Sequence, residues 1–171
     1  ALAMAKLCWE NLQEDGLKAK LACDANVVTE SLNKIIETNI LLSGLGFESG
    51  GLAAAHAIHN GMTVLPGAHS YLHGEKVAFA TIAQLVLEDA AKDELEAVLD
   101  FSASVGLPLT LSDIGVDEIT YEEALEVAKI ACIPEESIHS MPFPIVVEEV
   151  ANAIIVADKV GQEYKTRHKL D

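Results

Sequence analysis

Basic residues are scarce in this chain: 11 Lys and Arg stand against 27 Asp and Glu, for a formal net charge of -16. Such a surface repels a phosphate backbone, and no basic stripe interleaved with aromatics occurs, so nucleic acid is excluded as a partner. An anionic membrane surface is disfavoured for the same reason. Cysteine is also scarce. Cys8, Cys23 and Cys132 are odd in number and fit neither a CxxC metal knuckle nor a disulfide framework, so they read as reduced core thiols. No alternating strand pattern, low-complexity tract, repeat period or sustained heptad is present, and there are only five prolines.

The most informative absence is local. From Ser49 to Gly74 there is no Asp, Glu, Lys or Arg, where about six would be expected from the overall charged content of 22%. That window could be mistaken for a membrane span, but its Gly, His and Asn content and the break at Pro66 and Gly67 argue against one. No signal peptide precedes it, so the cytoplasm is the expected compartment.

What is there is apolar and helical. Half of the residues are hydrophobic and the mean hydropathy is +0.27, which excludes a disordered polymer, and 171 residues suit one compact domain. Helical spacing begins at Leu2 with no capping residue before it, so a preceding segment is expected. The first helix should run to Asp15 and stop at Gly16, with a shorter one over 17–26. Thr29 is a good N-cap for a stripe through Leu32, Ile35, Ile36 and Ile40 that ends at Gly44. Further helices are expected over 49–62, 74–89, 93–104, 121–132 and 145–164, with Thr120 capping the fourth of these. The fold class is therefore all-α, a globular multi-helix bundle with residues 1–171 as a single domain.

Four of the six histidines lie in the uncharged window: His56, His59, His69 and His73. His56 and His59 are three apart on one helix and share a face, and His73 opens the next helix, so imidazoles from two helices can converge on a point. Two such ligands plus a carboxylate would make a catalytic metal site with one position open to substrate. Glu48 and Glu75 flank the window, but neither spacing singles one out. A lone histidine on an Ala-rich helix is more often a hydrogen-bonded core residue, and both readings stay open for His59. His69 reads as a solvated loop residue or one behind the metal ligands; His139 and His168 lie in polar surroundings. The run GLGFESG spaces its glycines wrongly for a dinucleotide fingerprint and follows no strand, so SGLGFESGG reads as a helix stop and restart with Ser49 as cap.

The segments SGLGFESGGLAAAHAIHNG at 43–61 and HGEKVAFATIAQLVLED at 73–89, with GLPLTLSDIG at 106–115 and ADKVGQEY at 157–164, resemble the glycerol dehydrogenase family of the iron-containing alcohol dehydrogenases. The resemblance implies the carboxy-terminal helical half of the architecture shared with dehydroquinate synthases, and metal-dependent, NAD-linked oxidation of glycerol or a related vicinal diol. It implies Zn²⁺ or Fe²⁺ held by His56 and His73, with His56 also facing substrate. The third ligand, an aspartate, and the NAD-binding domain would lie upstream of Ala1. It implies Phe47 as an aromatic wall beside the substrate, and His59 as a proton relay or a residue behind the ligands. A homo-oligomer is expected, and this chain should be inactive by itself. The rival class is a non-catalytic helical module serving in assembly.

Overall fold

The computed structural model describes residues 1–170, and among them there are eight α-helices and no strand. They are α1 (Leu2–Asp24), α2 (Glu30–Glu37), α3 (Ser43–Gly50), α4 (Ala54–Gly61), α5 (His73–Leu87), α6 (Lys92–Val105), α7 (Tyr121–Ala131) and α8 (Val147–His168). Contacts group the chain into two compact units, Ala1–Gly51 and Leu52–Asp171.

In the first unit α1 runs straight through the expected stop at Gly16. The cause is the residue before it. Asp15 is buried, accepts a hydrogen bond from Ser31 Oγ (2.9 Å) and pairs with Lys34 Nζ (2.8 Å), so α2 holds the middle of α1 in place. Lys18, then Lys34 and Ser31, hold the Asp15 carboxyl well below the usual carboxylate range. Asn11 Nδ2 donates to Thr38 Oγ1 (2.9 Å), which in turn donates to the Lys34 carbonyl (2.8 Å).

Thr29 caps α2 as its sequence suggests, accepting from Leu32 N (3.2 Å). The chain does not stop at Gly44. Residues Thr38–Leu42 form a π-helical turn that passes directly into α3, so the helical path ends at Gly51, whose φ of +73° only glycine adopts without strain. Ser49 is therefore the penultimate residue of α3 and not the cap of a histidine helix.

The second unit owns the hydrophobic core. Ile58, Phe79, Ile82, Val127 and Ile154, from α4, α5, α7 and α8, are completely buried. Alanines at 54, 57, 80, 83, 124, 128, 151 and 157 fill the space between these helices and let their backbones approach closely. One such close approach, of α4 to α7, is at Gly61, where an added Cβ would run into the Val127 carbonyl oxygen.

The start of α4 is fixed by side chains from elsewhere, that of α5 by one of its own. Helix α4 begins at Ala54 with no capping side chain of its own; the amide of Ala55 instead donates to Gln84 Oε1 of α5 (2.9 Å), and Ser137 Oγ donates to the Ala53 carbonyl (2.8 Å). Glu75 accepts from the Leu72 amide (2.7 Å) and so closes the first turn of α5. Thr120 and Glu123 form the capping box of α7. Helix α8 runs to His168, beyond the expected end at 164, because Tyr164 donates to Asp100 (2.7 Å) and Lys165 pairs with Asp113 (2.9 Å).

Candidate metal and substrate site

Helix α4 carries His56 and His59 one turn apart, and His73 is the first residue of α5, which packs against α4. The three imidazoles meet. Ring centroids of His56 and His73 lie 5.4 Å apart with planes tilted by 46°, and those of His59 and His73 lie 4.4 Å apart nearly edge to face. Convergence of rings from two helices is what the spacing suggested. The interval between Gly61 and His73, two 3₁₀ turns at Met62–Val64 and Pro66–Ser70, brings the start of α5 back beside α4.

The spacing separates the two pairs chemically. Two imidazoles on one tetrahedral zinc, each nitrogen about 2.0–2.1 Å from the ion, place their ring centroids about 5 Å apart. The His56 and His73 centroids, 5.4 Å apart, match that separation, and the His59 and His73 centroids, 4.4 Å apart, fall short of it. Among the described residues no group of three or more His, Cys, Asp and Glu side chains is placed to hold a metal ion. Thus the pair fits part of a donor set. Glu75 Oε2 is engaged by the Leu72 amide, and Glu48 belongs to α3.

Electrostatics favour neutral rings. Burial, and then the neighbouring His73, pull the His56 pKa below its ordinary 6.5. His59 is also lowered, chiefly by burial, although its bond to Asn60 works in the opposite direction. A neutral imidazole is the form that ligates a metal or accepts a proton.

His69 is not in the cluster: it is exposed, and its Nε2 bonds the Thr63 carbonyl (2.8 Å) across the turn. His139 bonds the carbonyls of Cys132 and Ile133, and His168 stacks on Tyr164. Phe47 belongs to the first unit, half exposed on α3. With Trp9, Leu12 and Leu42 it lines a largely apolar cavity of about 680 Å³ within that unit.

Two polar neighbours of the cluster escaped the sequence reading. Asn60 Oδ1 meets His59 Nδ1 (3.1 Å), and Asn60 Nδ2 donates to both carboxylate oxygens of Glu136 (3.1 and 3.0 Å). Asn60 could have been noticed as the residue after the second histidine of HAIHNG. Glu136 is 76 positions away and nothing in the sequence marks it.

No family model matches the chain. It is 50% identical over 167 residues to a glycerol dehydrogenase of Citrobacter freundii, an alignment covering 98% of this chain and 46% of that protein. It is 51% identical over 164 residues to a glycerol dehydrogenase of Escherichia coli O6:H1, covering 96% and 45% respectively. The crystal structure of glycerol dehydrogenase from Schizosaccharomyces pombe superposes with a TM-score of 0.94 at 39% identity, over all of this chain and 45% of that one. The chain spans about half the length of the relatives it matches. No helix among the described residues is long and apolar enough to cross a membrane.

Proposed function

The chain belongs to the glycerol dehydrogenase family, and from that premise we propose that it contributes the helical metal and substrate side of an enzyme that oxidises glycerol, or a related vicinal diol, to the ketone with NAD. The observation that supports this reading most is the pairing of His56 on α4 with His73 at the start of α5, at the spacing two ligands of one ion require. The remaining ligand, an aspartate, and the NAD-binding residues are assigned to the rest of the longer enzyme. This chain alone is then expected to be inactive, and the enzyme to be cytoplasmic and homo-oligomeric.

The donor chemistry suits Zn²⁺ or Fe²⁺. When bound, such an ion supplies Lewis acidity that makes a coordinated hydroxyl easier to deprotonate. The chain's own residues do the rest of the work on this side. Burial favours the neutral, ligating form of His56, and the Glu75 bond to the Leu72 amide fixes the first turn of α5 that carries His73. His59, which lies beside His73, is assigned the role of accepting the proton released from the substrate hydroxyl. Phe47 enters the reading on the family resemblance, as an apolar wall that excludes water from the reacting carbon.

Kinetics of the longer enzyme test the proposal. His56→Ala or His73→Ala should abolish glycerol oxidation. His59→Ala should lower kcat by about 10²-fold or more while KM changes little. Full turnover in either ligand variant would refute the ligand assignment, and unchanged kcat in His59→Ala would remove the proton-accepting role.

A further inference from the structure

His59 is an imidazole whose proton position is dictated by groups outside the histidine cluster. Glu136, half-buried at the start of the Ser137–Ser140 turn, is a carboxylate and can only accept hydrogen bonds. Both of its oxygens lie within reach of one atom of Asn60, at 3.1 and 3.0 Å, so that atom is the amide nitrogen Nδ2. The other end of the amide, Oδ1, is thereby turned toward His59 Nδ1 at 3.1 Å. An amide oxygen has no hydrogen to give, so Nδ1 must carry the proton. In the neutral ring the proton then cannot be on Nε2 as well, and Nε2 is left with its lone pair.

The anchor of this chain of bonds is firm. Glu136 is followed by Ser137, whose hydroxyl donates to the Ala53 carbonyl (2.8 Å) at the head of α4, and Ile138 of the same turn is completely buried in the core. The turn that carries Glu136 is thus fastened to the helix that carries His59 and Asn60.

We propose that Glu136 and Asn60 are positioning residues that lock His59 in the Nδ1–H form, so that its bare Nε2 is presented to the imidazole cluster as the acceptor for a substrate hydroxyl. The locking itself is independent of any metal; only the identity of the hydroxyl rests on the function proposed above. A free histidine ordinarily favours the opposite tautomer, with the proton on Nε2, so the locked form is diagnostic.

The test is nitrogen-15 NMR of the histidine rings in the protein without added metal, at a pH where imidazole is neutral, with circular dichroism to verify that each variant is folded. In the wild type His59 should be a single Nδ1–H tautomer. In Glu136→Gln the new amide can donate as well as accept, so the orientation of Asn60 is no longer dictated and the tautomers should mix. Asn60→Leu should revert His59 to the ordinary Nε2–H form. The double variant Asn60→Asp with Glu136→Gln restores the order of donor and acceptor, from glutamine amide to aspartate to His59 Nδ1–H, and should recover the single tautomer. A wild-type His59 in the Nε2–H form, or one that stays Nδ1–H in all three variants, would overturn the proposal. Because no catalysis is read, a locked tautomer in a protein that later proved not to bind metal would leave this inference standing and sink only the functional reading.

Discussion

In the unit from Leu52 onward, Ile58, Phe79, Ile82 and Ile154 are entirely shielded from water, whereas in Ala1–Gly51 Leu2, Leu21, Val28, Ile40 and Phe47 are between 50% and 77% exposed. Both regions show apolar residues at helical spacing. Only the second turns that spacing into a core of large side chains, while the shielded apolar side chains of the first are the small Ala19 and Ala22. What organises the first region is polar: Asp15 with Ser31 and Lys34, and Asn11 with Thr38. Periodicity thus predicts a helix in either case, but it does not say whether the apolar face has found anything to bury it.

The largest expected contrast is between two phenylalanines. Phe79→Ala should cost roughly 3–5 kcal/mol in denaturant unfolding, because it empties a fully buried site. Phe47→Ala should cost no more than about 0.5 kcal/mol, as befits a half-exposed side chain. A loss at Phe47 equal to that at Phe79 would abolish the distinction between the two units.

Next in size is Gly61→Ala, expected to cost about 1–3 kcal/mol by forcing α4 away from the Val127 carbonyl. It should also disturb the ring signals of His56 and His59 on the same helix, which NMR would register. Smaller, and useful for separating the units, are the two caps. Thr29→Ala and Thr120→Ala should each cost about 1 kcal/mol. Amide exchange should quicken only in Ala1–Gly51 for the first and only from Leu52 onward for the second.

The smallest effect is one of pH. The folded pKa values of His56 and His59 lie below the ordinary 6.5, so the stability tied to their neutral rings is complete above pH 6.5 and is lost as pH falls from there through the lowered values. Asp15, whose folded pKa is far below its ordinary 3.8, should begin to lose its contribution only as pH falls below about 3.8, and lose it fully in strong acid. Mild acid should therefore weaken the second unit first, and replacing both histidines by Gln should reduce that weakening. A first unit that melts earlier on mild acidification would contradict this assignment.

Much of the second unit was legible because its signals are local. Thr120 as a cap, and the stripes of α5 and α8, each speak for their own helix. The histidine pairing was legible for the same reason, since His56 and His73 are joined by a short turn. The errors arose where a distant residue decided the matter. Gly16 and Gly44 look like stops, but Ser31 and Lys34 hold α1 straight, and the π-helical turn at Thr38–Leu42 carries the chain past Gly44. No local signal marks the start of α4, because the Ala55 amide is satisfied by Gln84 and not by a nearby cap. Glu136 was out of reach of any local pattern.

The central claim, that His56 and His73 are ligands of one ion, is tested most directly by zinc content. The longer enzyme carrying this chain would be loaded with Zn²⁺, freed of excess metal by gel filtration and analysed as wild type, His56→Ala, His73→Ala and His69→Ala. Bound zinc should fall sharply in both ligand variants, because a site that loses one of its few protein donors loses most of its affinity. The His69→Ala protein should match the wild type, since that ring only bonds the Thr63 carbonyl. Full zinc occupancy in either His56→Ala or His73→Ala would contradict the account.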